Sequence, residues 1–363
     1  MNDIKILKVF PNQIIHYMNN ILRISVTLLI LFFSSIASFS QITLNKVSEE
    51  LVFKSPPFAQ CHASTIVEVT PGKYMVAAFG GTAEGNKDVC IWLSTMENGK
   101  FGKPLKIADG IIDDSLSYPC WNPVLFKTRE GKLILWYKVG PSPRTWWGMV
   151  RTSADEGRTW TSPERLPSGI LGPIKNKPVQ LADGTILSPS SVETAESWKV
   201  HIEKSADSGK TWKVIPVDSG TKFNVIQPAI LLHPGNKLQI LCRSRNNAIV
   251  QAFSCDGGNT WGVLTKTELP NPNSGIDAVA LKDGWFILVY NPTIQGNEDR
   301  SRLNVAISKD GTEWKVALIL ENESKEEFSY PAVIQTSEGK INITYTYNRV
   351  NIKHVVLEEK PDF

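Results

Sequence analysis

Cysteine is scarce and unpatterned in this 363-residue sequence. Five are present (Cys61, Cys90, Cys120, Cys242 and Cys255), with no CxxC or CxxxC spacing, so a zinc site is not expected. The odd number leaves at least one free thiol, and several of the five sit inside strand-like runs where buried, inert thiols are the rule. A disulfide among the others stays open. A charge excess is also lacking. The net charge is +3 and lysine and arginine are scattered, which argues against nucleic acid or an anionic membrane surface as partner. No carboxylate cluster calls for calcium, and no cofactor motif is found. The repeated segments described below have no helical periodicity.

One long apolar run is present, at the amino terminus. Val26 to Phe33 reads VTLLILFF, with Lys5, Lys8 and Arg23 before it and Ser38-Phe39-Ser40 after it. A basic region, an apolar core and a small-x-small site predict a signal peptide over residues 1–40. A start at Met18 would give more ordinary signal-peptide proportions. The alternative is an uncleaved membrane anchor over residues 21–39, which is long enough to be marginal for spanning. No cysteine follows the run, so a lipobox is absent. Either way the remainder is expected to be exported.

Two series of repeats fill residues 41–363. The first is S-x-D-x-G-x-T-W, with full copies at Ser153–Trp160, Ser205–Trp212 and Ser254–Trp261, a shortened copy at Ser308–Trp314 and a decayed one at Ser94–Gly99. Serine and aspartate can bond nearby backbone N–H groups, and glycine permits positive φ, so each copy predicts a hairpin turn. The tryptophan then buries a large ring between neighbouring sheets. The second series is a short apolar strand, a glycine turn and another apolar strand. Its six copies begin at Ser64, Pro123, Pro178, Pro228, Ala278 and Pro331. A period of about 50 residues with about four strands per repeat predicts an all-β, six-bladed β-propeller as one domain, its ends cooperating to protect the last edge strand.

The repeat also points to a site. Inner strands begin near a propeller's axis, so the residues just ahead of them should converge. That register gives His62, Asn122, Lys177, Gln227, Asp277 and Tyr330, all polar or ionisable. The second strands should return Lys138, Arg243, Arg245 and Asn291 to the same region.

The boxes in a sixfold β repeat resemble the sialidase superfamily. The segments CHASTIVEV, YPCWNPVLF, GPIKNKP and SYPAVIQTSEGK look like its bacterial "predicted sialidase" or BNR-repeat members. The resemblance covers nearly all of residues 41–363. It implies an exo-glycosidase with three arginines gripping a substrate carboxylate, a tyrosine nucleophile assisted by a glutamate, and an aspartate acid/base. Tyr330 then resembles the nucleophile. Arg243 resembles the second arginine, with Arg245 as its substitute, and Arg302 resembles the third. Asp88 or Glu84 would be the acid/base. Two positions depart from the pattern. His62 stands where the first arginine is expected, and Gln227 stands where the glutamate is expected and cannot take the phenolic proton. His62 titrates near neutral pH and is a candidate for proton transfer. Lys175, Lys177 and Asn122 would add polar or positive character, and Trp121, Trp146 and Trp147 would stack on sugar rings. The implied partner is an acidic oligosaccharide or polysaccharide, handled by a monomer with no protein partner. Three activities fit these residues. They are an exo-hydrolase of a terminal sialic acid, ulosonate or uronate, a uronate lyase using His62 and Tyr330, and a glycan-binding propeller without catalysis.

Overall fold

The computed structural model describes residues 42–217, 220, 222–294 and 300–360, and the predicted leader lies outside them. The described chain is all-β, with a single short 3-10 turn at Pro234–Asn236. Six antiparallel sheets form the blades of a propeller.

Each blade runs outward from an inner strand. Blade 1 comprises Gln60–Thr70, Lys73–Gly81 and Cys90–Glu97, with the short strands Lys100–Phe101 and Leu105–Ala108 both paired to the third. Blade 2 is Cys120–Lys127, Leu133–Val139, Trp147–Ser153 and Glu164–Arg165. Blade 3 is Val179–Gln180, Ile186–Glu193, Trp198–Ser205 and Lys213–Pro216. Blade 4 is Val225–Leu232, Leu238–Ser244, Ala248–Ser254 and Thr265–Pro270. Blade 5 is Asp277–Ala280, Phe286–Tyr290, Arg302–Ser308 and Lys315–Asn322. Blade 6 takes Phe328–Gln335, Ile341–Tyr347 and Asn351–Glu359 from the end of the chain and Leu44–Leu51 from its beginning. The expected cooperation of the two ends is thus a fourth strand supplied from the early part of the chain, paired from Leu44 opposite Glu359 to Leu51 opposite Lys353 with a one-residue shift between Lys46 and Ser48. The inner strands of blades 1 and 6 touch and close the ring.

Period-two alternation along each strand sends one set of side chains to each neighbouring blade. Val67, Ala77 and Leu93 of blade 1 therefore meet Leu125, Leu135 and Tyr137 of blade 2 in one buried cluster. Ile287 and Val305 of blade 5 meet Val333 and Ile343 of blade 6 in another. The five cysteines are all free thiols, and burial pushes the Cys61 thiol up to about 12.

The full S-x-D boxes share one hydrogen-bond scheme, and the shortened box at Ser308–Trp314 keeps its serine, aspartate and tryptophan bonds with Asp310 accepting from the N–H groups of Thr312 and Glu313. In the blade 3 copy, the Ser205 hydroxyl donates to Asp207 at 2.8 Å and accepts from Gly209 N–H at 2.8 Å. Asp207 accepts from Thr211 N–H at 2.8 Å and from the Thr211 hydroxyl at 2.6 Å. Trp212 Nε1 then donates to the Gly209 carbonyl at 3.0 Å. Ser153–Trp160 repeats the scheme throughout. Ser254–Trp261 repeats it except for the last bond, because Trp261 Nε1 has no partner. The box glycine holds a positive φ at each copy, for example +88° at Gly209. It also lets the turn approach the preceding blade. A Cβ on Gly157 would strike Met75 of blade 1, and one on Gly258 would crowd Leu187 of blade 3. In the three full boxes the threonine hydroxyl, the threonine N–H and the serine hydroxyl hold the aspartate at about 2. At Asp310 burial opposes this, and the N–H groups of Glu313 and Thr312 still hold the carboxyl at about 2.

Candidate active site

The face opposite the boxes is built from departures from regular pairing. Each of four inner strands carries a one-residue bulge. The bulges lie between His62 and Thr65, Trp121 and Val124, Ile226 and Ala229, and Ser329 and Ala332. At each bulge one residue adopts positive φ: Ala63 (+57°), Asn122 (+37°), Gln227 (+55°) and Tyr330 (+52°). Three of these precede a proline, where a helical-type conformation is disfavoured. Such backbone costs on the order of 1–3 kcal/mol per residue and persists where its surroundings enforce it. A bulge re-aims a side chain, and here it brings Asn122, Gln227 and Tyr330 to one cavity.

That cavity has a volume of about 230 Å³. Blade 1 and its loop contribute His62 and Glu84; blade 2 and its loop contribute Trp121, Asn122, Pro143 and Trp146. Blades 3 and 4 add Glu193, Gln227 and Arg243. Blades 5 and 6 add Arg300, Tyr330 and Arg349.

Tyr330 sits at the centre of the polar contacts. Its hydroxyl accepts a hydrogen bond from Arg243 Nη1. Arg243 is 8% exposed and also donates to Gln227 Oε1 at 3.3 Å and to Asn273 Oδ1 at 2.9 Å. The guanidinium carbons of Arg243 and Arg300 each lie 5.6 Å from the Tyr330 ring centroid. His62 lies against the same ring, centroids 4.1 Å apart and tilted by 51°. Gly275 packs on it as well, close enough that a Cβ there would come within 3.3 Å of the ring.

A further arginine, Arg349, joins the cavity from outside the repeats. It lies in the turn between Tyr347 and Asn351, outside both repeat series, with φ of +56°. The Cys61 N–H donates to its carbonyl at 2.7 Å. Its guanidinium is ion-paired to Glu84 and, at 2.8 Å, to Glu327. Glu327 in turn pairs with Arg300 at 3.1 Å. Burial alone would raise the Glu327 carboxyl, but the Arg349 hydrogen bond and the charges of Arg349 and Arg300 hold it below its usual value. Three guanidiniums, those of Arg243, Arg300 and Arg349, therefore line one cavity.

The structure departs from the sequence pattern at several residues. The register for blade 1 slips by one: Ala63, not His62, occupies the bulge position shared by Asn122, Gln227 and Tyr330. His62 is nevertheless brought to the cavity, 2% exposed, with Nδ1 lacking a hydrogen-bond partner. Burial, followed by the charges of Arg349, Arg300, Arg243 and Lys175, pushes its pKa well below the ordinary value, which favours the neutral ring. Arg302 is exposed at the start of its strand, paired opposite Asn322, and does not line the cavity. Arg300, two residues earlier in the preceding turn, does.

Asp88 is an anchor for its loop: it accepts from Thr82 N–H at 2.8 Å and from the Thr82 hydroxyl at 2.9 Å, and Glu84 on that loop reaches the cavity instead. Lys177 and Asp277 pair at 2.8 Å and join blade 3 to blade 5, skipping blade 4, while Asp277 also accepts from Val333 N–H of blade 6. Lys175 donates to the carbonyls of Ile276 and Pro331, a second tie among the same blades. Burial, against the charge of Asp277, lowers it to about 7. These three residues hold the ring and do not line the cavity.

Arg245 stacks on Trp198 at 3.7 Å. Lys138 is buried on the Pro173 carbonyl, and Asn291 Nδ2 bonds the carbonyls of Arg302 and Phe328. Trp147 packs edge-on against Tyr118 beneath Arg165. Trp121 and Trp146 do form a cavity wall, edge to face at 6.0 Å.

Fold, boxes and cavity together describe a sialidase-type propeller. The match to the BNR repeat-like domain spans residues 72–343, and the chain belongs to that family. A sialidase of Micromonospora viridifaciens is 28% identical over 174 residues, covering 45% of this chain and 26% of that protein, so the chain spans about a quarter of that relative's length. Among solved structures, a protein of unknown function from Dyadobacter fermentans DSM 18053 superposes with a TM-score of 0.69 at 17% identity, covering 88% of this chain and all of that one. The NanB sialidase from Streptococcus pneumoniae superposes with a TM-score of 0.68 at 13% identity, covering 85% of this chain and 70% of that one.

Proposed function

We propose that the chain is an exported exo-glycosidase that removes a terminal sugar acid, sialic acid in the first instance, from a glycan. The observation that carries this reading is the convergence of Arg243, Arg300 and Arg349 with Tyr330 on one small cavity. Guanidinium forks match carboxylate geometry, and three of them in a single monosaccharide-sized space select an anionic ring over a neutral one. Arg349 stands in for the arginine absent at position 62. Its guanidinium is held in place by its ion pairs with Glu84 and Glu327.

In this reading the carboxylate of the sugar lies on the guanidiniums, and Trp121 and Trp146 bound the ring. The phenolic oxygen of Tyr330 faces the anomeric carbon. Tyrosine suits that place because a neutral phenol approaches a carbon bearing a carboxylate with less repulsion than a carboxylate would. With Gln227 beside it in place of a base, Tyr330 stabilises the positive charge that develops as the glycosidic bond lengthens, and Arg243 fixes its orientation. Export follows from the amino-terminal segment, with cleavage after Ser40.

The test is turnover of aryl glycosides of sialic acid, other ulosonic acids and uronic acids by the folded protein. Release from an acidic glycoside and none from its neutral counterpart is expected. No release from any of them, by protein that still binds acidic sugars, would convert the reading to glycan binding. An unsaturated product absorbing near the ultraviolet edge would convert it to elimination from a uronate. The mass of the exported chain checks the cleavage site.

A further inference from the structure

We infer that Glu193 is the carboxyl group that gives a proton to the departing sugar and takes it back from water; this rests on the hydrolase reading above. Three glutamates stand in or against the cavity. Glu84 is ion-paired to Arg349, and Glu327 is clamped between Arg349 and Arg300. Both are committed as anions that support guanidiniums. Glu193 lines the cavity and has no ion-pair partner among the described residues.

Its place in the ring is the second argument. Glu193 ends the second strand of blade 3, and Tyr330 lies on the inner strand of blade 6. In a ring of six, blades 3 and 6 are opposite, so a sugar held between them presents one side to the phenol and the other to the carboxyl. The end of the blade 3 strand is tied to the site, because Ser191 Oγ accepts from the Gln227 N–H at 3.3 Å. Its partner across the hairpin, Trp198, lies beneath the guanidiniums of Arg243 and Arg245. The electrostatics agree. Burial raises the Glu193 carboxyl above its usual value, although Arg243, Arg245 and Arg144 pull the other way. A carboxyl kept protonated further toward neutrality is what a proton donor requires.

The step balances as follows. The bond from the anomeric carbon to the glycosidic oxygen breaks, both electrons go to that oxygen, and it takes the Glu193 proton. Water then adds to the anomeric carbon and returns one proton to the Glu193 carboxylate. An alcohol and a free sugar acid are the products.

The experiment compares wild type with Glu193→Gln and Glu193→Asp on two acidic glycosides, one with a sugar leaving group and one with an activated nitrophenol. An alkoxide needs the proton and a nitrophenolate does not. Glu193→Gln is expected to lose about 100-fold or more on the sugar-linked substrate, under tenfold on the nitrophenyl one, and the high-pH limb of its pH–rate profile. Glu193→Asp should restore part of both. Equal losses on the two substrates, or no loss, overturn the assignment while wild-type turnover keeps the hydrolase reading. A wild type that releases neither sugar overturns both. If Glu193→Gln fails to fold, the leaving-group dependence of Glu193→Asp decides in the same way.

Discussion

The two faces of this propeller obey different rules. On one face the serine, aspartate and threonine groups are bonded in the same way at Asp155, Asp207 and Asp256, and Asp310 keeps a shortened form of the scheme. On the other, the matching positions of the blades hold Ala63, Asn122, Gln227 and Tyr330, all with left-handed backbone and no two alike. The first face repeats because its task, turning a hairpin and seating it on the preceding blade, is the same wherever a box stands. The second face diverges because one ligand needs a different group from each direction. Repetition marks scaffold and its absence marks the site.

That contrast can be broken most severely at the cavity. Tyr330→Phe and Arg243→Ala are expected to lower kcat/KM by about 10³-fold, the scale of losing a preorganised charge-stabilising group, with a melting temperature close to wild type in a calorimetric scan. Arg349→Ala should cost about 10–100-fold, mainly in KM, from the usual strength of a charge-assisted hydrogen bond, and Arg349→Lys should recover part of it in a steady-state assay. Gly275→Ala forces the Tyr330 ring to yield a few tenths of an ångström and should lower activity by about tenfold through misplacement, with folding stability near wild type in urea. Asp207→Ala inverts the pattern: a melting temperature lowered by a few degrees and an unchanged kcat/KM.

The smallest effect is collective. The four box aspartates are held at about 2 in the folded protein, against about 3.9 when unfolded. A depressed carboxyl contributes its full stability above the unfolded value and loses it as pH falls through the folded one. Urea midpoints should therefore hold steady down to about pH 4 and then decline toward pH 2, less steeply in Asp207→Asn.

The same contrast explains what the sequence discloses. The box needs only contacts two to four residues apart, so Ser205, Asp207, Gly209, Thr211 and Trp212 announce themselves in a string. Strand alternation announces six blades. The cavity is half legible. Tyr330, Gln227, Asn122, Trp121 and Arg243 follow from the repeat register and the family resemblance, which also places His62 in the cavity. Arg300, Arg349 and Glu193 lie in turns or at a strand end outside the register, and only folding brings them within reach of Tyr330. Lys177 and Asp277 mislead for the opposite reason. They keep the register, but their charges neutralise one another across blade 4.

The seam in blade 6 has a consequence for synthesis. Leu44–Leu51 is translated about 300 residues ahead of its partner Asn351–Glu359. Until then the early strand is an unpaired edge and the blade that carries Tyr330 lacks its outer cover. A message cut short therefore yields a chain with two open edges and no complete cavity. The cavity can be complete only after the last strand has been made. A circular permutant joined across this seam and opened at a box turn should move that delay from blade 6 to the opened blade, because the strands on either side of the cut would become the first and last of the ring to be translated.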